Sequence, residues 1–190
     1  LSIFDYDLNV INSYNKINLV PFGEFLPFED FLSKLGLKKI TQGYNSFSHS
    51  LEREFISVGK YKFLPLICYE IIYTGNLNKQ SKDFDYIINI SEDGWFGSSI
   101  GPEQHFSHSI FRAIEEGKNL YRSSNNGISA HINPVGKIED KIKSTQSGVI
   151  EVKNVKFIKE TIFSKQGNKI FFYFLLIYIT FASFLKRNDL

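Results

Sequence analysis

Leu64-Pro65-Leu66-Ile67-Cys68-Tyr69-Glu70 is the stretch from which the rest of the chain is best read: an apolar run ending on the only cysteine in 190 residues, with a carboxylate two positions later. Its length and composition predict a short buried strand that delivers one thiol to a sheet edge. In an extended chain residues i and i+2 share a face, so Cys68 and Glu70 are expected to point the same way and Tyr69 the other. A thiol beside a carboxylate is an odd pair to leave in a core. The competing reading is packing alone, because free cysteines are among the most buried residues.

Around that stretch the bulk properties describe a globular chain with room for one domain and little more. A hydrophobic fraction of 43% and a charged fraction of 22% allow a core to be buried and exclude disorder as the main reading. The net charge of +2 is carried by scattered lysines, which makes no basic footprint and argues against nucleic acid as a partner. A single cysteine forms no internal disulfide. Aromatic content is high, with 19 Phe and 10 Tyr.

Upstream, the first residues lack the zones of a secretory signal. Alternation predicts strands over Asp7–Ile11 and Ile17–Leu19. Val20-Pro21-Phe22-Gly23-Glu24-Phe25-Leu26-Pro27 follows, where two prolines and a glycine forbid a regular helix or a central strand and leave a shaped loop. Lys16 and Glu24 flank its entry, and a strand turning into the loop brings them together as an ion pair; the plainer expectation is a weak surface pair. Glu29 to Leu37 reads as a short helix closed near Gly36, Thr41 to His49 as polar surface chain, and Phe55 to Tyr61 as a strand beside the one bearing Cys68.

Downstream, Ile71 to Lys82 is a connection of uncertain form, and Asp85 to Ser91 is a further strand with the apolar run of a sheet covered on both faces. The loop after it, Glu92-Asp93-Gly94-Trp95-Phe96-Gly97, holds the only tryptophan. Loops leaving strand C-termini carry ligand contacts in α/β architectures, which makes this loop a candidate pocket wall; a Trp lid over the core is the alternative. Pro102 suits the first turn of a helix with an apolar face of Phe106, Ile110, Ala113 and Ile114, closed by Gly117. His105 and His108 lie three apart on it, but no third ligand supports a metal, so no metal site is assigned. Leu120 to Asn133 reads as strand, Asn-Gly turn and strand, and Val149 to Val152 as the last strand of the domain.

Ile170 to Leu185 is sixteen uncharged residues flanked by Lys169 and by Lys186-Arg187. At about 1.5 Å per residue it covers about 24 Å, which with snorkelling lysines approaches a bilayer core. We read it as a membrane span, with a buried helix as the alternative. The positive end is then cytoplasmic and residues 1–169 lie on the outer side.

Tyr14-Asn15-Lys16, Leu19 to Pro27, Ile67-Cys68-Tyr69-Glu70, Asp93 to Gly97, Gly101 to Phe106, Arg112 to Glu115 and Ser124 to Ile128 together resemble, in that order, the apolipoprotein N-acyltransferases, a membrane branch of the nitrilase (carbon-nitrogen hydrolase) superfamily. The resemblance implies an α/β fold, a nitrilase-like αββα sandwich incomplete at the N-terminus, over residues 1–165, then a transmembrane helix over 170–185 and a short basic tail over 186–190. It implies transfer of an acyl chain from a phospholipid donor, through a cysteine thioester, to the amine of a diacylglyceryl lipoprotein, with no cofactor. It also places the domain on the periplasmic side of the bacterial inner membrane. By resemblance Cys68 is the nucleophile and Lys16 the cation at the developing oxyanion; Glu24 and Glu70 are supporting carboxylates, and Tyr69 and Trp95 line the substrate site. The family's first catalytic acid lies upstream of the lysine, and Asp5 and Asp7 have no matching surroundings. The chain is therefore expected to be a C-terminal portion whose N-terminal half is missing, with little activity by itself. Glu92 stands where the family usually has Asn. Two alternatives stay open: a nitrilase-type amide hydrolase, and a non-catalytic membrane-anchored remnant.

Overall fold

A computed structural model describes residues 1–40, 47–75, 77, 83–153 and 155–188, with side chains described to Lys186. The chain opens with an antiparallel pair, β1 (Ser2–Phe4) and β2 (Val10–Ser13), followed by the short helix α1 (Glu29–Leu32). Next come β3 (Ile56–Val58), β4 (Tyr61–Ile67) and β5 (Tyr86–Glu92), then helix α2 (Gly101–Glu116). β6 (Asn119–Asn125), β7 (Ser129–Ile132) and β8 (Ile138–Ile142) follow, and then the helices α3 (Ile162–Gln166) and α4 (Lys169–Asn188). Strands β3 to β8 lie side by side in chain order in one sheet. β4, β5 and β6 are parallel, and the flanking pairs are antiparallel.

The register explains where the core sits. Leu64 and Leu66 pair with Ile87 and Asn89, which pair with Leu120 and Arg122 and through them with Ile132 and Ala130. Because side chains alternate, these residues share one face. Its apolar members are buried against Phe106 and Ala113 of α2. Toward the C-terminal ends of the strands the same face turns polar, with Asn89 and Arg122 buried beside Asp93. The opposite face carries an aromatic row, Tyr61, Phe63, Tyr86, Tyr121 and His131, with neighbouring ring centroids 5.0–5.5 Å apart. Ile88 and Ile90 on that face are half-buried, so β5 is sealed on the α2 side more fully than on the other. Pro102 lies in the first turn of α2, and Gly117 ends it at φ 64°, as the sequence predicts.

Several expected boundaries move. The N-terminal strands are Ser2–Phe4 and Val10–Ser13; Ile17–Leu19 is irregular, because the backbone N–H groups of Ile17 and Asn18 donate to the Glu70 carboxylate instead of to a ladder. Val149 to Val152 is not a strand: β8 pairs with β7 and no described residue continues the ladder beyond it. The polar segment from Thr41 lies outside the described residues up to position 46, as does much of the 71–82 connection.

α4 spans 20 residues, about 30 Å, and its 18-residue window Lys169–Lys186 has a mean hydropathy of 1.6 with none of it buried. It is long and apolar enough to cross a bilayer. Its base docks on the loop that follows Cys68: Gly167 adopts φ 54° with its Cα against the carbonyl of Gly75, and Asn168 Nδ2 donates to the Thr74 carbonyl at 3.4 Å. A methyl group on Gly167 overlaps that carbonyl, so Gly167→Ala is expected to destabilise the fold by about 1–3 kcal/mol. Thermal unfolding in detergent checks this; a melting temperature equal to that of the parent chain contradicts the docking.

A candidate active-site cleft

β4 ends at Ile67, and the next residue takes φ 51°, a left-handed conformation that costs a non-glycine residue about 1 kcal/mol or more. Cys68 thus opens a tight 3₁₀ turn, Cys68–Ile72, rather than continuing the strand. The expectation that Cys68 and Glu70 share a strand face is overturned: Cys68 is half-buried and turns toward a cleft, whereas Glu70 is fully buried. Glu70 Oε1 accepts from the Ile17 backbone N–H at 2.9 Å and from Arg53 Nη2 at 3.2 Å, and Oε2 accepts from the Ile67 N–H at 2.8 Å. The Tyr14 hydroxyl donates to the same carboxylate at 2.9 Å, and burial holds that phenol well above its usual range, so it remains a donor. Glu70 therefore ties the cysteine turn to the Tyr14–Asn18 segment.

That segment delivers Lys16. Its Nζ donates to Glu24 Oε1 and Oε2 at 2.8 and 2.7 Å, and the side chains are 9% and 20% exposed, which removes the weak surface pair as an account of them. Glu24 Oε2 also accepts the Val20 N–H at 2.8 Å, so the Pro21–Gly23 turn fixes the carboxylate that holds the lysine.

Cys68 and Glu24 both line a cleft of about 570 Å³. Its walls are largely apolar, with Val20, Ile40, Phe47, Tyr69, Trp95 and Phe96 among them. Tyr69 packs edge-on to Tyr73 with centroids 5.7 Å apart, and Trp95 stands 63% exposed at the mouth. Of the residues singled out by sequence, Cys68, Glu24, Tyr69 and Trp95 line the cleft, Lys16 reaches it through Glu24, and Glu70 lies behind it.

Beneath the cleft is a buried polar cluster that sequence reasoning missed. Asp93 Oδ2 accepts from Arg122 Nη2 at 2.7 Å, and Asp93 Oδ1 faces His105 Nδ1 at 2.8 Å and accepts from the Ser91 hydroxyl at 2.7 Å. Arg122 also donates to Asn89 Oδ1, and Asn89 Nδ2 donates to the Leu66 carbonyl at 3.0 Å, two residues before Cys68. Burial by itself raises the Asp93 pKa, but the hydrogen bond with His105 and the charge of Arg122 outweigh it and hold the carboxyl well below the usual range. Arg112 donates to the carbonyls of Ile72 and Tyr73, clamping the far end of the cysteine turn to α2. At the rim, Glu92 is held at Oε1 by the Gly94 N–H at 2.7 Å and at Oε2 by Asn125, whose hydrogen bond is the main reason its carboxyl is depressed.

These shifts fix the sign of a pH dependence. Desolvation lowers the pKa of His108 and of His131 below the ordinary 6.5, and Asp93 lies below 3.8, so at acid pH the unfolded chain binds more protons than the folded one. Stability is fully present above 6.5, falls as the histidines protonate, and falls again below about pH 4 as Asp93 does. Urea midpoints in detergent are expected to drop from pH 7.5 to 5.5; a flat profile contradicts the neutral state of the buried His131 and the half-buried His108.

The carbon-nitrogen hydrolase family model matches residues 1–154. An apolipoprotein N-acyltransferase of Bradyrhizobium diazoefficiens is 39% identical over 167 residues, covering 87% of this chain and 31% of that protein. One from Wigglesworthia glossinidia brevipalpis is 38% identical over 183 residues, covering 94% and 36%. The chain thus spans about a third of the length of these curated relatives. Among solved structures, a carbon-nitrogen hydrolase from Helicobacter pylori superposes with a TM-score of 0.56 at 13% identity, covering 77% of this chain and 53% of that one. An amidase from Nesterenkonia gives 0.51 at 15% identity, covering 75% and 50%.

Proposed function

Because this chain belongs to the carbon-nitrogen hydrolase family, we propose that its cleft carries acyl transfer from a phospholipid, through a thioester on Cys68, to the amine of a diacylglyceryl lipoprotein. The observation that carries the reading is that Cys68 and Glu24, the carboxylate that holds Lys16, line one cleft with largely apolar walls. A thiolate suits the task, since it attacks an ester and leaves readily when an amine attacks the thioester.

In this mechanism the Cys68 thiol gives its proton to base from solvent, the thiolate adds to the ester carbonyl, and Lys16 offers its ammonium to the oxygen that becomes negative. Glu24 keeps that ammonium aimed. Collapse of the intermediate expels the lysolipid alcohol, which takes a proton, and leaves the acyl group on sulfur. The acceptor amine then adds to the thioester carbonyl, loses its proton to solvent, and expels the thiolate. Glu70 holds the cysteine turn against the lysine segment, and Tyr69 and Trp95 flank the chain being moved. Residues 1–165 act as the catalytic part, with α4 spanning the inner membrane over 170–185, the 186–190 tail cytoplasmic and the cleft on the periplasmic side, where both lipid substrates reach it. The tail's side chains beyond Lys186 lie outside the described residues.

Glu24 is committed to Lys16, and the hydrogen bonds that Glu92 accepts from Asn125 and Gly94 depress its carboxyl and leave it a weak base. No carboxylate lining the cleft among the described residues is left as a base for the thiol proton, so slow, base-dependent turnover is expected of the 190-residue polypeptide by itself. The test follows a labelled acyl chain in nanodiscs containing an acceptor lipopeptide. Amide on the lipopeptide supports transfer. Label released only as free fatty acid favours the hydrolase reading, and label that never leaves the phospholipid favours the non-catalytic one.

A further inference from the structure

At the mouth of the cleft, Glu92 closes β5 in register with Asn125 at the end of β6. Its carboxylate is exposed, yet it is not loose. Gly94 N–H and Asn126 Nδ2 donate to Oε1 at 2.7 and 3.3 Å, and Asn125 Nδ2 donates to Oε2. The backbone of Gly94 folds so closely over it that a methyl at that position sits 2.5 Å from Oε1. All three donors are neutral. Two carboxylates line the cleft among the described residues; Glu24 is matched by Lys16, whereas Glu92 has no cationic partner among those residues. An ionised group held in place by neutral donors on the wall of a cleft is a site made to receive a positive charge.

We propose that Glu92 binds a primary ammonium at the mouth of the cleft and so selects among substrates. This deepens the acyl-transfer reading and rests on it, because that reading brings two primary ammonium groups to the cleft. One is the headgroup of the phospholipid donor where that headgroup is ethanolamine. The other is the α-ammonium of the lipoprotein acceptor. Either enters beside the apolar walls formed by Trp95 and Phe96, where lipid displaces water and an ion pair gains strength over one in bulk solvent. The hydrogen bond from Asn125, followed by that from Gly94, depresses the Glu92 carboxyl and keeps it charged at neutral pH.

The experiment uses the full chain in nanodiscs holding equal amounts of phosphatidylethanolamine and phosphatidylglycerol with identical acyl chains, and reads lipid retained on the protein by native mass spectrometry. A second arm measures binding of a diacyl lipopeptide with a free or an acetylated N-terminus. The parent chain is expected to favour the ethanolamine lipid, the free amine, or both, by about fivefold, and Glu92→Gln to bring the ratio near one. Glu92→Lys is expected to reverse the lipid preference. A change in the lipid arm alone assigns the ammonium to the donor, and a change in the lipopeptide arm alone assigns it to the acceptor. Equal ratios for parent and Glu92→Gln in both arms, with Glu92→Gln melting at the parent temperature, overturn the proposal. Acyl uptake on Cys68, followed in the same samples, reports separately on the acyl-transfer reading: uptake that persists while the ratios stay equal removes the ammonium site and leaves the thioester.

Discussion

Cys68→Ala is expected to remove acyl uptake from phospholipid altogether, and Lys16→Met to slow it by about 10²- to 10³-fold, in single-turnover reactions with labelled lipid. The first effect follows from having one thiol in the chain: without it there is no atom at the end of β4 to hold the acyl group. The second is the size expected when one donor to a developing oxyanion is lost. Lys16→Met keeps the length of the side chain while leaving Glu24 without its cation, so part of the loss comes from an unmatched carboxylate that is 20% exposed. A double variant, Lys16→Met with Glu24→Gln, separates the two. It is expected to fold better than the single variant and to remain as slow. Recovery of the parent rate in the double variant contradicts a role for the ammonium at the oxygen.

Asp93→Ala is expected to destabilise the fold by about 3–5 kcal/mol, because it leaves the Arg122 guanidinium buried, with its side chain fully sequestered, and without its counter-charge. The consequence reaches the nucleophile. Arg122 holds Asn89, and Asn89 holds the Leu66 carbonyl on the strand that ends at Cys68. Loosening that chain of contacts lets the cysteine turn relax from its left-handed conformation. Arg122→Met with Asp93→Leu removes both charges and is expected to recover most of the stability. Denaturant midpoints decide the matter: an Asp93→Ala loss below about 1 kcal/mol contradicts the buried pair, as does a double variant no more stable than the single one.

Features carried by local chemistry were legible in the sequence. Pro102 and Gly117 bracket α2, Asn126 supplies φ 57° in the turn between β6 and β7, and the apolar run of α4 announces itself by length. Pro21 and Gly23 bend the chain between Lys16 and Glu24, so their pairing was visible as one reading, although a weak surface pair was the plainer expectation. What stayed hidden depends on backbone angles or on residues far apart in the chain. Alternation reads Cys68-Tyr69-Glu70 as a strand because hydropathy carries no information about φ, so the turn that exposes the thiol and buries the carboxylate could not be seen. The Asp93, His105 and Arg122 cluster joins residues 12 to 29 positions apart. Its one sequence signal was the polar break after the apolar run of β5. His105 drew notice within the Gly101 to Phe106 motif and as half of a rejected metal pair with His108, when its nearer role is to face Asp93. Val149 to Val152 has strand-like composition and no neighbouring strand to pair with, which periodicity alone does not test.

The central claim is that a lipid's acyl chain ends on the sulfur at position 68. Intact-protein mass spectrometry of the chain incubated in nanodiscs with a phospholipid of labelled acyl chain, without acceptor, tests it most directly. The expected product is one added acyl group on Cys68, formed faster as pH rises, released by hydroxylamine and absent from Cys68→Ala. An unmodified Cys68 across the pH range, or an acyl group found only as a hydroxylamine-stable amide on a lysine, contradicts it.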